Sequence, residues 1–171
     1  MLALVSALDA AWYSPRTYVV AATDALGHAK AAQAEAALAA ARGRRRLSPP
    51  ALPTVLTIPR SREVGQSYLT SVWTTLVALA ACVRLVWTSR PDLLLVNGPG
   101  TCLPLVAAAV AARWARRSPT RVAYVESIAR TEALSLTGRL LYGLRLADLF
   151  FVQWEGLAAK LPRAVYAGRL F

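Results

Sequence analysis

Short apolar, β-branched runs alternate with longer stretches of helical periodicity along this chain, and that alternation restricts the fold more than any other feature. Arg16–Ala22 (RTYVVAA) reads as a strand, Ala25–Arg42 as an alanine-rich helix closing at Gly43, and Thr54–Ile58 as a second strand. Between them, Leu47–Pro53 is broken by prolines and reads as a surface loop. A long helix is expected from about Val64 to Ser89. In it Leu69, Val72, Trp73, Leu76, Leu79, Ala80, Val83, Val86 and Trp87 follow the i, i+3, i+4, i+7 spacing. Its length approaches the roughly 20 residues of a membrane span. Gln66, the threonines and Arg84 interrupt the apolar run, and the amphipathic pattern points to packing on a sheet instead.

The alternation continues with a buried strand at Asp92–Val96, a sharp break at Asn97–Gly100, and a helix over Thr101–Ala115. Then come the strand Arg121–Val125, a helix near Leu136–Leu146, the strand Asp148–Gln153, a short helix Glu155–Lys160 and a strand-like Arg163–Ala167. No internal repeat or linker divides the chain, so residues 1–171 are expected to form a single domain of α/β class. The expected architecture is a Rossmann-like parallel sheet with helices on both faces. Ligands of such sheets bind at the carboxyl ends of the strands.

Composition narrows the function. The chain has 171 residues, 56% hydrophobic and 17% charged, which suits one ordered domain and hints at a lipid surface, a buried partner interface or simply a parallel sheet covered on both faces. The net charge of +11 comes almost wholly from arginine, since Lys30 and Lys160 are the only lysines. Arg42, Arg44, Arg45 and Arg46 form one cluster, and Arg113, Arg116, Arg117 and Arg121 another. Such clusters attract phosphate, or are simply solvated. No base-reading or aromatic-rich motif accompanies them, so a nucleic-acid partner is not expected. Cys82 and Cys102 fit buried thiols, and His28 has no spacing that would build a metal site or a catalytic triad. No metal or cofactor is expected. Met1–Ala11 lacks the basic n-region and apolar core of a secretory signal.

Three segments and two single residues hold candidate chemistry. In PDLLLVNGPGT a strand runs through Asn97 into Gly98, Pro99 and Gly100, then Thr101 opens a helix. Glycines admit a ligand to the backbone, and a helix N-terminus suits a phosphate; a plain tight turn fits equally. In YVESIAR, Glu126 follows a buried strand on the same edge. It either orients a sugar hydroxyl or acts as a base, or else caps the next helix or pairs with Arg130. In IPRSREVGQ, Arg60 and Arg62 either hold phosphate oxygens or pair with Glu63. Asp24 fits a ligand contact or a helix cap, and Trp154 a stacking surface or a packing residue.

Together, IPRSREVGQS, PDLLLVNGPGT, YVESIAR and the FFVQW…VYAGR ending resemble the acceptor-side, membrane-anchoring subunit of the eukaryotic UDP-N-acetylglucosamine transferase of asparagine-linked glycosylation. The resemblance runs from about Tyr13 to the C-terminus. It implies the N-terminal half of a GT-B glycosyltransferase whose other half, binding UDP-GlcNAc, is a separate protein. The heterodimer would add the second GlcNAc to GlcNAc-diphospho-dolichol at the cytosolic face of the endoplasmic reticulum. This subunit would recruit its catalytic partner to the membrane and contribute to acceptor binding, as a non-catalytic or co-catalytic component. The resemblance implies acceptor or phosphate contacts at Asn97, Gly98, Gly100, Thr101, Arg60 and Arg62, and a catalytic role for Glu126. It also implies a partner-contact tail over residues 166–171, with Tyr166, Gly168, Arg169, Leu170 and Phe171. Members usually begin with a transmembrane segment and an SGGH-like loop. Neither is found here, so the first strand and the membrane anchor are expected to be missing. The alternative is a self-contained Rossmann-like enzyme binding a nucleotide or phosphate, for which a GxGxxG fingerprint is lacking.

Overall fold

The computed structural model describes residues 4–5, 8–9, 12–22, 24–41, 54–59, 68–98, 100, 102–115 and 118–168. They fall into two compact units, one drawn from Met1–Pro59 and the other from Arg60–Leu170. Both are parallel sheets flanked by helices, the Rossmann-like α/β architecture expected from the alternating pattern.

In the first unit, β1 (Thr17–Ala21) pairs in parallel with β2 (Thr54–Ile58), Thr17 opposite Thr54 and Ala21 opposite Ile58. The crossover between them contains α1 (Ala25–Ala41), as a parallel pair requires. Asp24 starts that helix as a cap, its Oδ1 accepting from the Gly27 N–H at 3.0 Å. Glu35 ties the helix to the strand. Its two oxygens accept from Arg16 Nε at 2.6 Å and Nη2 at 2.7 Å, and Tyr18 OH donates to it at 2.6 Å. Burial, then the Glu35 carboxylate, pushes the Tyr18 hydroxyl up to about 12.

The second unit is the sheet β3 (Leu93–Asn97), β4 (Arg121–Val125), β5 (Leu149–Val152) and β6 (Val165–Tyr166), paired in sequence order and all parallel. Its helices are α2 (Tyr68–Ser89), α3 (Cys102–Trp114), α4 (Leu136–Gly143) and α5 (Glu155–Ala158). β4 is the centre: Val122, Ala123, Tyr124 and Val125 are all buried, as a strand covered on both faces demands. Its neighbours match it in ring packing, with Tyr124 4.9 Å and Tyr142 5.2 Å from the Phe150 ring.

Helix α2 departs from the expected packing. Its buried line is Ala78, Cys82 and Val86, whereas Leu76 is 52% and Trp87 44% exposed. The expected stripe is thus divided, Val86 buried and Leu76 and Trp87 outward, and the helix packs against α3. Along α3, Ala108, Ala109 and Ala112 are fully buried, and small side chains let neighbouring elements approach closely. No described helix is long and apolar enough to cross a membrane.

The second arginine cluster is partly committed to structure. Asp148, just before β5, accepts from Arg113 Nη1 at 2.8 Å and from the Val122 N–H at 2.8 Å, with Arg121 Nη1 at 3.5 Å. Arg116, Arg117 and Arg42–Arg46 lie outside the described residues.

Burial pushes the Asp148 carboxyl up, but the Val122 N–H and the two guanidiniums outweigh it and hold it below the ordinary aspartate value of 3.8. A carboxyl depressed in the folded state contributes stability that is complete above the unfolded value and drains away as pH falls through the folded one. Asp148→Asn is therefore expected to lower stability at pH 7 by about 1 kcal/mol, the pair being partly exposed. The loss should shrink toward zero in urea titrations repeated below pH 3.8.

Candidate functional site

The carboxyl ends of β3 and β4 bring two loops together. After β3 the chain turns through Gly98, whose φ of 58° lies in the left-handed region that an L side chain enters only at a cost. A Cβ placed on Gly98 would stand 3.7 Å from Ser127 Cβ, and one on Gly100 4.0 Å from Thr137 Oγ1. The turn thus lies against the residue following Glu126 and against the first turn of α4. Gly100 O accepts from Leu103 N at 3.2 Å, starting α3. Asn97 O accepts from Cys102 Sγ at 3.5 Å.

The second loop, between β4 and α4, is irregular but tied at many points. Glu126 N donates to Phe151 O, extending the sheet one residue past β4, and Gln153 Nε2 donates to Glu126 O, both at 2.9 Å. Trp154 Nε1 donates to Ile128 O at 2.7 Å, so this ring fastens the loop from the β5 side.

The Glu126 carboxylate is wholly buried. Oε1 accepts from Ser127 N at 2.9 Å and Tyr124 OH at 3.2 Å. Oε2 accepts from Ser135 N at 3.0 Å and Ser135 Oγ at 3.1 Å. Ser135 is the N-cap of α4, its Oγ accepting from Gly138 N at 2.9 Å. One carboxylate therefore joins the end of β4, the start of the loop and the cap of the next helix. The Tyr124 hydroxyl also lies 3.2 Å from Ser135 Oγ. Burial above all raises the tyrosine pKa, and Glu126 adds to the rise against the lowering contact with Ser135, so the ring remains a donor.

Gly138 completes the arrangement: a Cβ there would collide with Glu126 Oε2. Glu126 thus supports the helix cap, with both oxygens engaged by Tyr124, Ser127 and Ser135 and the residue wholly buried. What this edge presents outward is Gly98, Gly100, Ser127 and the exposed Ile128–Arg130 segment. A glycine turn opening a 13-residue helix, with a serine beside it, can take an anionic oxygen by N–H and O–H donation.

Cys102, beneath the turn, is pushed up to about 11 by burial, against a lowering bond from Asn97, and Cys82 to about 11 by burial and the nearby Cys102. Both stay thiols at neutral pH and are not nucleophiles. Among the described residues no group of three or more His, Cys, Asp or Glu could hold a metal ion.

The structure thus gathers Asn97, Gly98, Gly100 and Glu126 at one edge. Arg60, Arg62, Thr101, Arg169, Leu170 and Phe171 lie outside the described residues. Tyr166 closes β6, and Gly168 adopts a φ of 80° two residues later. Sequence reasoning missed Ser135 and Gly138. Each carried a signal: a serine immediately before a helical pattern marks a cap, and a glycine in a helix's first turns, where it costs about 1 kcal/mol, marks a close approach.

Comparison with known proteins gives one consistent answer. The family described as "Oligosaccharide biosynthesis protein Alg14 like" matches residues 1–170. The rat protein named UDP-N-acetylglucosamine transferase subunit ALG14 is 42% identical over 170 residues, covering 99% of this chain and 76% of its own length. Its human counterpart is 39% identical over 173 residues, covering 99% and 76%, and that of Schizosaccharomyces pombe 34% over 171, covering 98% and 75%. No solved structure matches.

Gly138→Ala is expected to cost about 2 kcal/mol by forcing the cap away from the carboxylate. Gly143→Ala, in the same helix with nothing within 4 Å of the added methyl, should be neutral or slightly stabilising. Equilibrium denaturation of both variants checks the pair; equal midpoints would remove the close approach from the account.

Proposed function

The chain belongs to the Alg14-like family of oligosaccharide biosynthesis proteins, and we propose that it acts as the acceptor-side subunit of a UDP-N-acetylglucosamine transferase. In this reading it recruits a separate, UDP-GlcNAc-binding catalytic subunit to the endoplasmic reticulum membrane. It also holds GlcNAc-diphospho-dolichol while the second GlcNAc is added. The relatives are named as a transferase subunit, which implies a catalytic partner.

The observation that carries the acceptor role is the meeting of the Gly98–Gly100 turn with Ser127 and Thr137 at the carboxyl edge. A diphosphate is a diffuse anion, best held by several fixed N–H and O–H donors. A turn without side chains at Gly98 and Gly100, at a helix N-terminus, offers them. The fold completes one half of such a site. A GT-B enzyme closes its cleft with a second Rossmann-like unit carrying the sugar nucleotide, and the residues 166–171 are proposed as the contact that holds that unit in place. The chain's +11 charge favours an anionic substrate and a lipid surface.

Within this scheme Glu126 is a positioning residue. It fixes Ser127 and the start of α4 against the glycine turn, and it needs no contact with the sugar. The proton of the acceptor hydroxyl is then taken by a group other than Glu126.

Two measurements test the reading. Co-purification with the UDP-GlcNAc-binding subunit should be abolished by deleting Arg169–Phe171; capture that survives the deletion removes the tail from the interface. In the complex, Glu126→Gln places an amide N–H₂ among donors. It is expected to raise KM for the lipid acceptor about tenfold through a loosened cap, with the pH–rate profile unchanged in shape. Loss of the acidic limb of that profile would instead make Glu126 a base.

A further inference from the structure

Arg130 is a cation at the candidate edge that no contact of the fold uses. Among Asn97, Gly98, Gly100 and residues 126–130 it is the single basic residue. The sequence allows it to pair with Glu126, but both oxygens of that carboxylate are held by Tyr124, Ser127 and Ser135. Glu132, two residues on, forms no ion pair with it either. Among the described residues the guanidinium has no hydrogen-bond or ion-pair partner, and the residue is exposed.

Its backbone is nonetheless fixed. Ser127 O accepts from Arg130 N at 3.0 Å, closing a turn over residues 127–130. Ser127 Oγ accepts from Ala129 N at 3.4 Å, and Ile128 O from Trp154 Nε1 at 2.7 Å. Ser127 in turn borders the glycine turn, since a Cβ on Gly98 would stand 3.7 Å from Ser127 Cβ and 4.0 Å from its N. Arg130 is therefore anchored on the same short turn as the residue that touches Gly98.

We propose that Arg130 supplies the positive charge that holds the diphosphate of the acceptor. The other donors of this edge are neutral: backbone N–H groups and the hydroxyls of Ser127 and Thr137. A diphosphate diester carries a negative charge on each phosphoryl group, and a hydrogen bond between charged groups is roughly twice as strong as a neutral one. The planar fork of arginine meets two oxygens at once, on one phosphoryl group or across both, which a lysine ammonium does not match. A turn already fixed spares the cost of ordering the loop when the ligand arrives. A sugar linked through a single phosphate would satisfy the glycine turn and leave nothing for the guanidinium. The inference rests on the acceptor-side reading for the identity of the ligand. It deepens that reading by naming the residue that selects a diphosphate over a monophosphate.

The test uses the full chain in complex with the UDP-GlcNAc-binding subunit. Two water-soluble probes carry GlcNAc on a short prenyl chain, one through a diphosphate and one through a single phosphate. Arg130→Gln is expected to raise KM for the diphosphate probe about thirtyfold, with kcat within about twofold because the diphosphate is not the reacting group. Equilibrium dialysis should show the same loss in binding of the diphosphate probe, and no more than about a threefold loss for the monophosphate one. Arg130→Lys should recover part of it, to about fivefold above the parent KM. Arg145→Gln removes the same charge from an exposed position beyond the far end of α4 and should leave every value at the parent level. KM for UDP-GlcNAc and the melting temperature should not move in any variant. Equal losses for the two probes overturn the proposal, as does a diphosphate KM unmoved by Arg130→Gln. So does a raised KM for UDP-GlcNAc or lost co-purification, which would set Arg130 against the partner subunit. A parent complex that binds the diphosphate probe through Arg130 but transfers nothing would sink the transferase reading and leave this contact standing. Transfer by the parent that Arg130→Gln does not alter would do the reverse.

Discussion

The buried carboxylate of Glu126 is the contact on which the candidate site depends. An ionised carboxylate taken wholly out of water is costly, and the cost is offset only when its lone pairs are filled. Here four donor contacts fill them, from Tyr124, Ser127 and Ser135. Because these donors come from the end of β4, the loop and the cap of α4, satisfying the charge also fixes the geometry. Charge-assisted bonds are stronger than neutral ones and more directional, so the loop needs no regular structure to hold Ser127 beside Gly98. The glycine at 138 follows from the same contact: the carboxylate occupies the volume a side chain would need. Tyr124 and Ser135 have one hydroxyl proton each. With both given to Glu126, their mutual 3.2 Å contact holds no proton.

The elements of the fold were legible because their boundaries are chemical. Thr54–Ile58 and Arg121–Val125 were read with their observed limits, since Pro53 and Pro59 bound the first run and Thr120 and Glu126 the second. The Asn97–Gly100 break was legible for the same reason. Which face of α2 packs was not. The buried line joins Val86 of the large apolar stripe to Ala78 and Cys82, and periodicity alone does not single out those two. Packing against α3 is a tertiary contact that the pattern of α2 does not contain. Glu126 was ambiguous in kind. A carboxylate after a strand fits a ligand contact or a cap, and its bond to Ser135, nine residues away across an irregular loop, is one that no period reports.

That error of face has a consequence for function. Had the large stripe been buried, α2 would show solvent a row of small and polar residues. Instead the helix spends its smallest residues on packing and keeps leucine and tryptophan outside, where they cost solubility unless something covers them.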